Sequence, residues 1–280
     1  MGQSKLQILE AGAGGQSSSP GALSRVRDGG DYSSRNTSKG ALLRDAATLF
    51  GAARQLEVST DDLREMALRG QMLPPGSYEN RQRIWDSLHY RYFAPGLPWI
   101  TRGLASASAS GANSPEFVSL AYLYFALRDR LTFDLVTSLI WRRWLARSLT
   151  ISSADVVGFL EHATSQHPAV SKWSESTRTK LASSILAAIR DFGLLRGVYA
   201  KQIQRPVVAP ETVFHLLCIL LAEGCHGRAV IEAPDWRLFL WSEDDAAKAL
   251  AELAQRRWIR FERGGRTVIL ELIRTPEVEV

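Results

Sequence analysis

His215, Cys218, Cys225 and His226 are the grouping of metal-binding side chains that lies closest together along the chain. Structural zinc sites draw their ligands from Cys-x2-Cys pairs and similarly paired histidines, a spacing this grouping lacks. His215 and Cys218 also fall inside an apolar segment, so a core role is expected and no metal. No Gly-x-Ser-x-Gly elbow, phosphate-binding P-loop, His-Glu-x-x-His pair or kinase signature occurs. Gly12-Ala13-Gly14-Gly15 after Leu6 to Leu9 imitates the opening of a dinucleotide fingerprint, but no helix and second strand follow it. His162 and His167 flank a turn before Pro168, as capping or surface residues do. Asp61-Asp62 and Asp244-Asp245 sit at expected helix starts, where the helix dipole accounts for them. Neither an enzyme nor a cofactor is expected.

The other chemistry on offer is cationic. Lys and Arg number 34 against 29 acids, a formal charge of +5, and Arg predominates. A guanidinium suits bidentate phosphate contacts, although a GC-rich genome also favours Arg codons. Two sets stand out. On a helix expected over Tyr78 to Phe93, the residues Asn80, Arg83, Ser87, Tyr90 and Arg91 fall on the side opposite Ile84, Trp85, Leu88 and Tyr92. That side reads either as a contact for phosphates and base edges or as a solvated helix face. Near the C-terminus, Arg256, Arg257, Arg260, Arg263 and Arg266 stand against Glu262. Arginines on a terminal hairpin give salt-dependent affinity for a DNA backbone without base readout. The helix before that hairpin opens with Glu243, Asp244 and Asp245, which argues against inserting its N-terminus into a groove.

The elements that position these residues are mostly helical. Ser114-Pro115-Glu116 combines a cap, a proline at the first helical position and an acid at the positive end of the dipole. Phe117, Leu120, Ala121, Tyr124 and Leu127 follow at helical spacing. Asp134 to Leu149 is apolar nearly all round, which predicts a helix buried on several sides. Ser152 with Asp155 resembles a capping box, Ser174 caps a helix through Leu181, Ile185, Ile189 and Phe192, and Gly193 ends it. Upstream, helices are expected over Ala41 to Leu56, Asp61 to Arg69 and Tyr78 to Phe93, with Pro74-Pro75-Gly76 forcing a turn. Downstream, Thr212 to Ala222 reads as a buried helix ended by Gly224. Ser242 with Asp245 caps another, and alternation around Gly264-Gly265 is a β-hairpin signal.

The fold class expected is therefore mainly α. A helical bundle body is flanked by an N-terminal helix-turn-helix-like module and a C-terminal winged-helix-like module with a β-hairpin. The expected boundaries are a Gly/Ser-rich disordered tail over 1–39, the first module over 40–103, a linker over 104–113, the body over 114–203, the second module over 204–274 and a tail over 275–280. Two cysteines and the lack of a signal peptide fit a reducing cytoplasm. The longest strongly apolar run, Val213 to Ala222, is about half the length that spans a membrane.

Three stretches resemble the BrxA family, the small helical component of BREX bacteriophage-defence systems. They are EFVSLAYLYFALRDRLTFDLV, HPAVSKWSESTRTKLASSILAAIRDFGLL and APDWRLFLWSEDDAAKALAELAQRRWIRFERGGRTVILEL. The second is the most specific, with its His-Pro pair, Trp-Ser, Ser-x-Thr and terminal Gly-Leu-Leu in order. The resemblance covers about Gly40 to Leu272; the Gly/Ser tail and the Pro-Pro-Gly turn depart from the family pattern. It implies a non-catalytic, DNA-binding accessory protein acting beside larger methyltransferase, ATPase and phosphatase-like components. Some family members carry an "inner membrane protein" label, which the hydropathy of this chain does not support. The expected partners are double-stranded DNA and other BREX-system proteins. Two other readings stay open: a scaffold that docks defence proteins, and a winged-helix regulator of the surrounding operon.

Overall fold

The computed structural model describes residues 26–27, 29–35, 39–56, 58–73, 75–265 and 267–274. The Gly12 to Gly15 run, most of the expected N-terminal tail, Arg266 and the tail over 275–280 lie outside the described residues.

One helix sits at the centre, α5 (Pro115–Arg128), and the reason is in its composition. Every residue from Phe117 to Leu127 except Val118 is buried, so it has no solvent face. Ser114 caps it by accepting from the Phe117 N–H, and Pro115 opens it. A helix apolar on all sides is stable only when neighbours surround it. Here these are α1 (Leu43–Leu56), α4 (Pro98–Ser108), α11 (Pro210–Ala222) and the π-helical turn His89–Phe93 that extends α3 (Tyr78–Leu88). Between α1 and α3, α2 (Thr60–Leu68) is capped by Ser59.

Polar groups on α5 are satisfied inside, mostly by the C-terminal third of the chain. Ser119 Oγ lies 2.8 Å from Thr212 Oγ1 and accepts from the Ala209 N–H at 3.1 Å. Tyr122 donates to the Leu238 carbonyl at 3.0 Å. Tyr124 Oη is 2.6 Å from His215 Nδ1, and the His215 ring stacks on Trp99 at 4.1 Å. Gly103 makes room for that imidazole: a Cβ there would come within 2.6 Å of His215 Cε1.

After α5 the chain runs through α6 (Arg130–Asp134), a π-helical stretch Leu135–Ile140 and α7 (Trp141–Leu145). The expectation of a helix buried on several sides holds for Leu135, Val136 and Ile140 but not beyond. No residue of α7 is buried, and Leu145 is 61% exposed. Next come β1 (Thr150–Ile151), α8 (Ser153–Ala163), α9 (Pro168–Ser171) and α10 (Glu175–Asp191). The capping box at Ser152 and Asp155 and the Ser174 cap form as the sequence predicts. β2 (Leu195–Arg196) and β3 (Lys201–Ile203) complete a three-stranded antiparallel sheet in the order β1-β3-β2. Then follow α11, α12 (Arg228–Glu232), a 3-10 turn Pro234–Phe239, α13 (Glu243–Gln255) and the hairpin β4 (Ile259–Gly264) and β5 (Thr267–Leu272).

A single hydrophobic core crosses the expected boundaries. One hydrophobic cluster runs from Val26 to Ile259 and takes in residues of every helical segment expected to fold apart. The first half of the expected linker over 104–113 is helix, because α4 continues to Ser108, and Leu104 is fully buried. Alternating Ala and Ser are small, but alanine is the best helix former, so a run of small residues need not break a helix. The described part of the expected tail also docks on the body. Val26 and Tyr32 are buried, Tyr32 stacks on His167 at 3.6 Å, and Arg27 bridges Glu223 at 2.6 Å and Asp235 at 2.5 Å.

Burial carries a pH signature. The His215 imidazole is held neutral by its apolar surroundings, with Arg274 adding to the effect, and its pKa is pulled from 6.5 down to about 3. The unfolded chain therefore takes up a proton that the folded chain refuses, and stability falls as pH drops through that window. A slope of about 1.4 kcal/mol per pH unit is expected below roughly pH 6. Urea unfolding midpoints of wild type and His215→Gln check it, the variant lacking this component of the slope.

Candidate nucleic-acid interface

On α3, Ser77 caps the helix through the Asn80 N–H, and Asn80 Oδ1 accepts from Lys39 Nζ at 3.2 Å. Arg83 is exposed. The remaining members of the expected face do not join them. Ser87 is buried and donates to the Arg83 carbonyl at 2.9 Å. Tyr90 is buried, its hydroxyl donating to the Arg128 carbonyl at 3.0 Å. Arg91 has no solvent exposure; it donates to the carbonyls of Ala41 at 2.9 Å and Gly40 at 2.7 Å, with its guanidinium 4.9 Å from the Phe125 ring centre. Ser87 falls on the buried side of α3 itself, whereas Tyr90 and Arg91 lie in the π turn over His89–Phe93. A wider helix advances less per residue, so the face projected from α-helical spacing drifts into the core after Leu88. The sequence-predicted face thus reduces to Asn80 and Arg83.

The C-terminal set divides as well. Arg256 and Arg257 are exposed where α13 ends, and no carboxylate pairs with either among the described residues. The Arg256 guanidinium lies 5.8 Å from the Trp258 ring, and Arg274 is 4.7 Å from the same ring. Arg257 has φ 60, a left-handed residue turning the chain from α13 into β4. Arg260 faces outward on β4, but it pairs with Glu262 at 2.9 Å and with Glu271, its register partner on β5, at 3.6 Å. The outward face of the hairpin therefore carries one arginine between two acids. Arg263 is drawn the other way, to Asp244 at the start of α13, at 2.9 Å. Of the wing expected to be basic, Arg260 and Arg263 are neutralised by its own strands and by the helix packed beneath it. Cross-strand register, which composition does not convey, decides this. The acidic start of α13 is likewise engaged. Burial would raise the Asp245 carboxyl, but hydrogen bonds from Ser242 and the Arg205 guanidinium outweigh it and hold its pKa below the ordinary value.

Sequence reasoning passed over a third basic region. Residues 135–154 and 192–210 contain no Asp or Glu but carry Arg142, Arg143, Arg147, Arg196, Lys201 and Arg205. The sheet of β1, β2 and β3 joins these two segments. Arg143 pairs with Asp155 and Arg205 with Asp245, whereas the other four have no carboxylate partner among the described residues. The absence of acids from two distant stretches was the legible signal.

Among the described residues no group of three His, Cys, Asp or Glu side chains could hold a metal ion, and no helix is long and apolar enough to cross a membrane. Cys218 lies buried in α11, where desolvation pushes its thiol up to about 12.

The geometry defines a mainly helical protein with two small antiparallel sheets. Its fold is similar to that in the "Crystal structure of an uncharacterized protein from Magnetospirillum magneticum", with a TM-score of 0.56 at 16% identity, covering 76% of this chain and 100% of that one. The BrxA family matches residues 30–218, more than half of the chain, and the chain belongs to that family. This sets it in the context of a BREX defence system. The match begins ahead of Gly40 and ends within α11, so the third resembling stretch, from Ala233 onward, lies outside it. No curated protein matches the chain.

The two arginines of α3 and its π turn should behave oppositely. Arg91→Ala strands buried carbonyls and opens a cavity, at an expected cost of about 3 kcal/mol. Arg83→Ala should stay within about 0.5 kcal/mol of wild type. Urea denaturation of both variants checks this.

Proposed function

We propose that this BrxA-family protein is a non-catalytic, cytoplasmic DNA-binding component of a BREX anti-phage system that holds duplex DNA by its backbone. The observation that carries the reading is the exposed pair Arg256 and Arg257, two cations without a carboxylate partner among the described residues, at the junction of α13 and the terminal hairpin. The order α11, α12, α13, hairpin is that of a winged-helix module, and in this reading the junction touches phosphates while the acid-capped start of α13 stays out of the groove. Arg83 is an auxiliary contact. Arg260 and Arg263 would have to leave their carboxylates to reach phosphate, so they contribute less.

A protein-docking role is the second reading, favoured by α7, where Trp141 and Trp144 are partly exposed beside the exposed Leu145. Apolar surface of that kind commonly marks a contact with another protein. Co-purification of another BREX protein that survives high salt and is lost on Trp144→Ala would favour it.

Fluorescence-anisotropy titration against unrelated duplexes at low and moderate salt tests the first reading. Binding should be indifferent to sequence and weaken steeply with salt. Arg256→Ala with Arg257→Ala should lower the salt slope by about 2, since each phosphate neutralised adds about 0.9 to it. Arg260→Ala with Arg263→Ala should change it less. No binding at low salt overturns the proposal.

A further inference from the structure

The hairpin formed by β2 and β3 is built at its root and bare at its tip. Leu195 and Ile203 at the root are buried, the Ile203 N–H donates to Leu149 at 2.6 Å, and Gln204 closes the other side onto Leu194 at 2.8 Å and Gly193 at 3.0 Å. Gly197, at φ +86, makes the tight turn, where any Cβ would strike the Ala200 carbonyl oxygen. Beyond it, Val198 is 63% exposed and Tyr199 is 100% exposed. Neither side chain adds to the core, and water gains nothing from an exposed valine and phenol ring. A firmly rooted loop thus presents two apolar groups that the monomer does not use.

The surroundings of this tip are cationic. Arg196 and Lys201 flank it on the two strands, and both donate to neutral acceptors, Arg196 to Gln202 Oε1 at 2.8 Å and Lys201 to the Val198 carbonyl at 3.0 Å. Arg142 and Arg147 are exposed on the segment that leads into β1, which the pairing of Thr150 with Gln202 sets beside the root of the hairpin rather than its tip. Unlike the terminal hairpin, the strands of this sheet and the turn between β2 and β3 carry no acid to neutralise them. Cations on either side of a projecting aromatic match a polyanion with stacked, apolar-faced bases. They do not match an acidic protein surface, which gives a bare tyrosine and valine nothing to enter.

We propose that the β2–β3 hairpin is a second duplex-DNA contact in which Tyr199, with Val198, wedges against a base step while Arg196 and Lys201 hold the flanking phosphates. This rests on the DNA-binding reading above and adds a site and a mode to it. Wedges of this type unstack a step and bend the duplex, and stacking of a base on an aromatic ring tolerates any sequence.

The test uses the full chain and a duplex carrying 2-aminopurine, whose fluorescence rises when its step unstacks. Wild type should bind with a rise in fluorescence. Tyr199→Ala should lose that rise and roughly tenfold in affinity with its salt slope unchanged, and Tyr199→Phe should keep both. Arg196→Gln with Lys201→Gln should lower the salt slope by about 2. If wild type binds but Tyr199→Ala matches it in affinity and fluorescence, the hairpin proposal is overturned and the Arg256–Arg257 contact stands. If Tyr199→Ala instead abolishes capture of a protein partner and leaves DNA binding intact, it is overturned as well. Failure of wild type to bind any duplex at low salt removes both.

Discussion

Complete burial of α5 is the constraint on which the rest depends. A helix without a polar face must be enclosed, and enclosing it recruits elements from both halves of the chain: α1, α4 and the π turn from one, α11 from the other. The hydroxyls of Ser119, Tyr122 and Tyr124 would each be costly to bury unpaired, and each finds its partner in the C-terminal third. Apolar contact supplies the general attraction, while these directional bonds select one arrangement of α11 and the Pro234–Phe239 turn against α5. The single core follows from that.

Several arginines stand at turns, helix ends and the strands of the small sheets, where they either meet a carboxylate or remain available. Arg260 and Arg263 are occupied by acids that register and helix packing bring to them, and exposed pairs of this sort add little stability in any case. Arg196 and Lys201 are available because their segment carries no acid, and Arg256 and Arg257 because no carboxylate pairs with them among the described residues. The protein's overall excess of positive charge is therefore not spread evenly, and its distribution is what bears on a polyanionic partner.

Local chemistry made much of this legible in advance. The caps at Ser59, Ser114, Ser152, Ser174 and Ser242 all form, because a cap is a bond between a side chain and a backbone three residues away and needs no tertiary information. The Gly264-Gly265 hairpin is of the same kind, and the core assignment of His215 and Cys218 followed from the apolar residues around them. What could not be read were features set by the whole molecule. Helical periodicity assumes a constant pitch, which the π turn over His89–Phe93 breaks where Arg91 enters the core. Composition sums the charges of the terminal hairpin, yet Glu271 cancels Arg260 only because β5 brings it opposite. The sheet that gathers Arg142, Arg147, Arg196 and Lys201 joins segments far apart in sequence, and its strands are two or three residues long, too short for a period to register.

The bond between Ser119 and Thr212 spans 93 residues of sequence. On a ribosome that distance is time. At about 5–20 residues per second, α5 leaves the exit tunnel roughly 5–20 s before the helix that covers it. Through that interval an apolar helix that can hide no face from water stands in a nascent chain with its last neighbour unmade. Such a protein cannot close its core until α11 has emerged, and a message cut short before α11 yields a chain fit for chaperones or proteases.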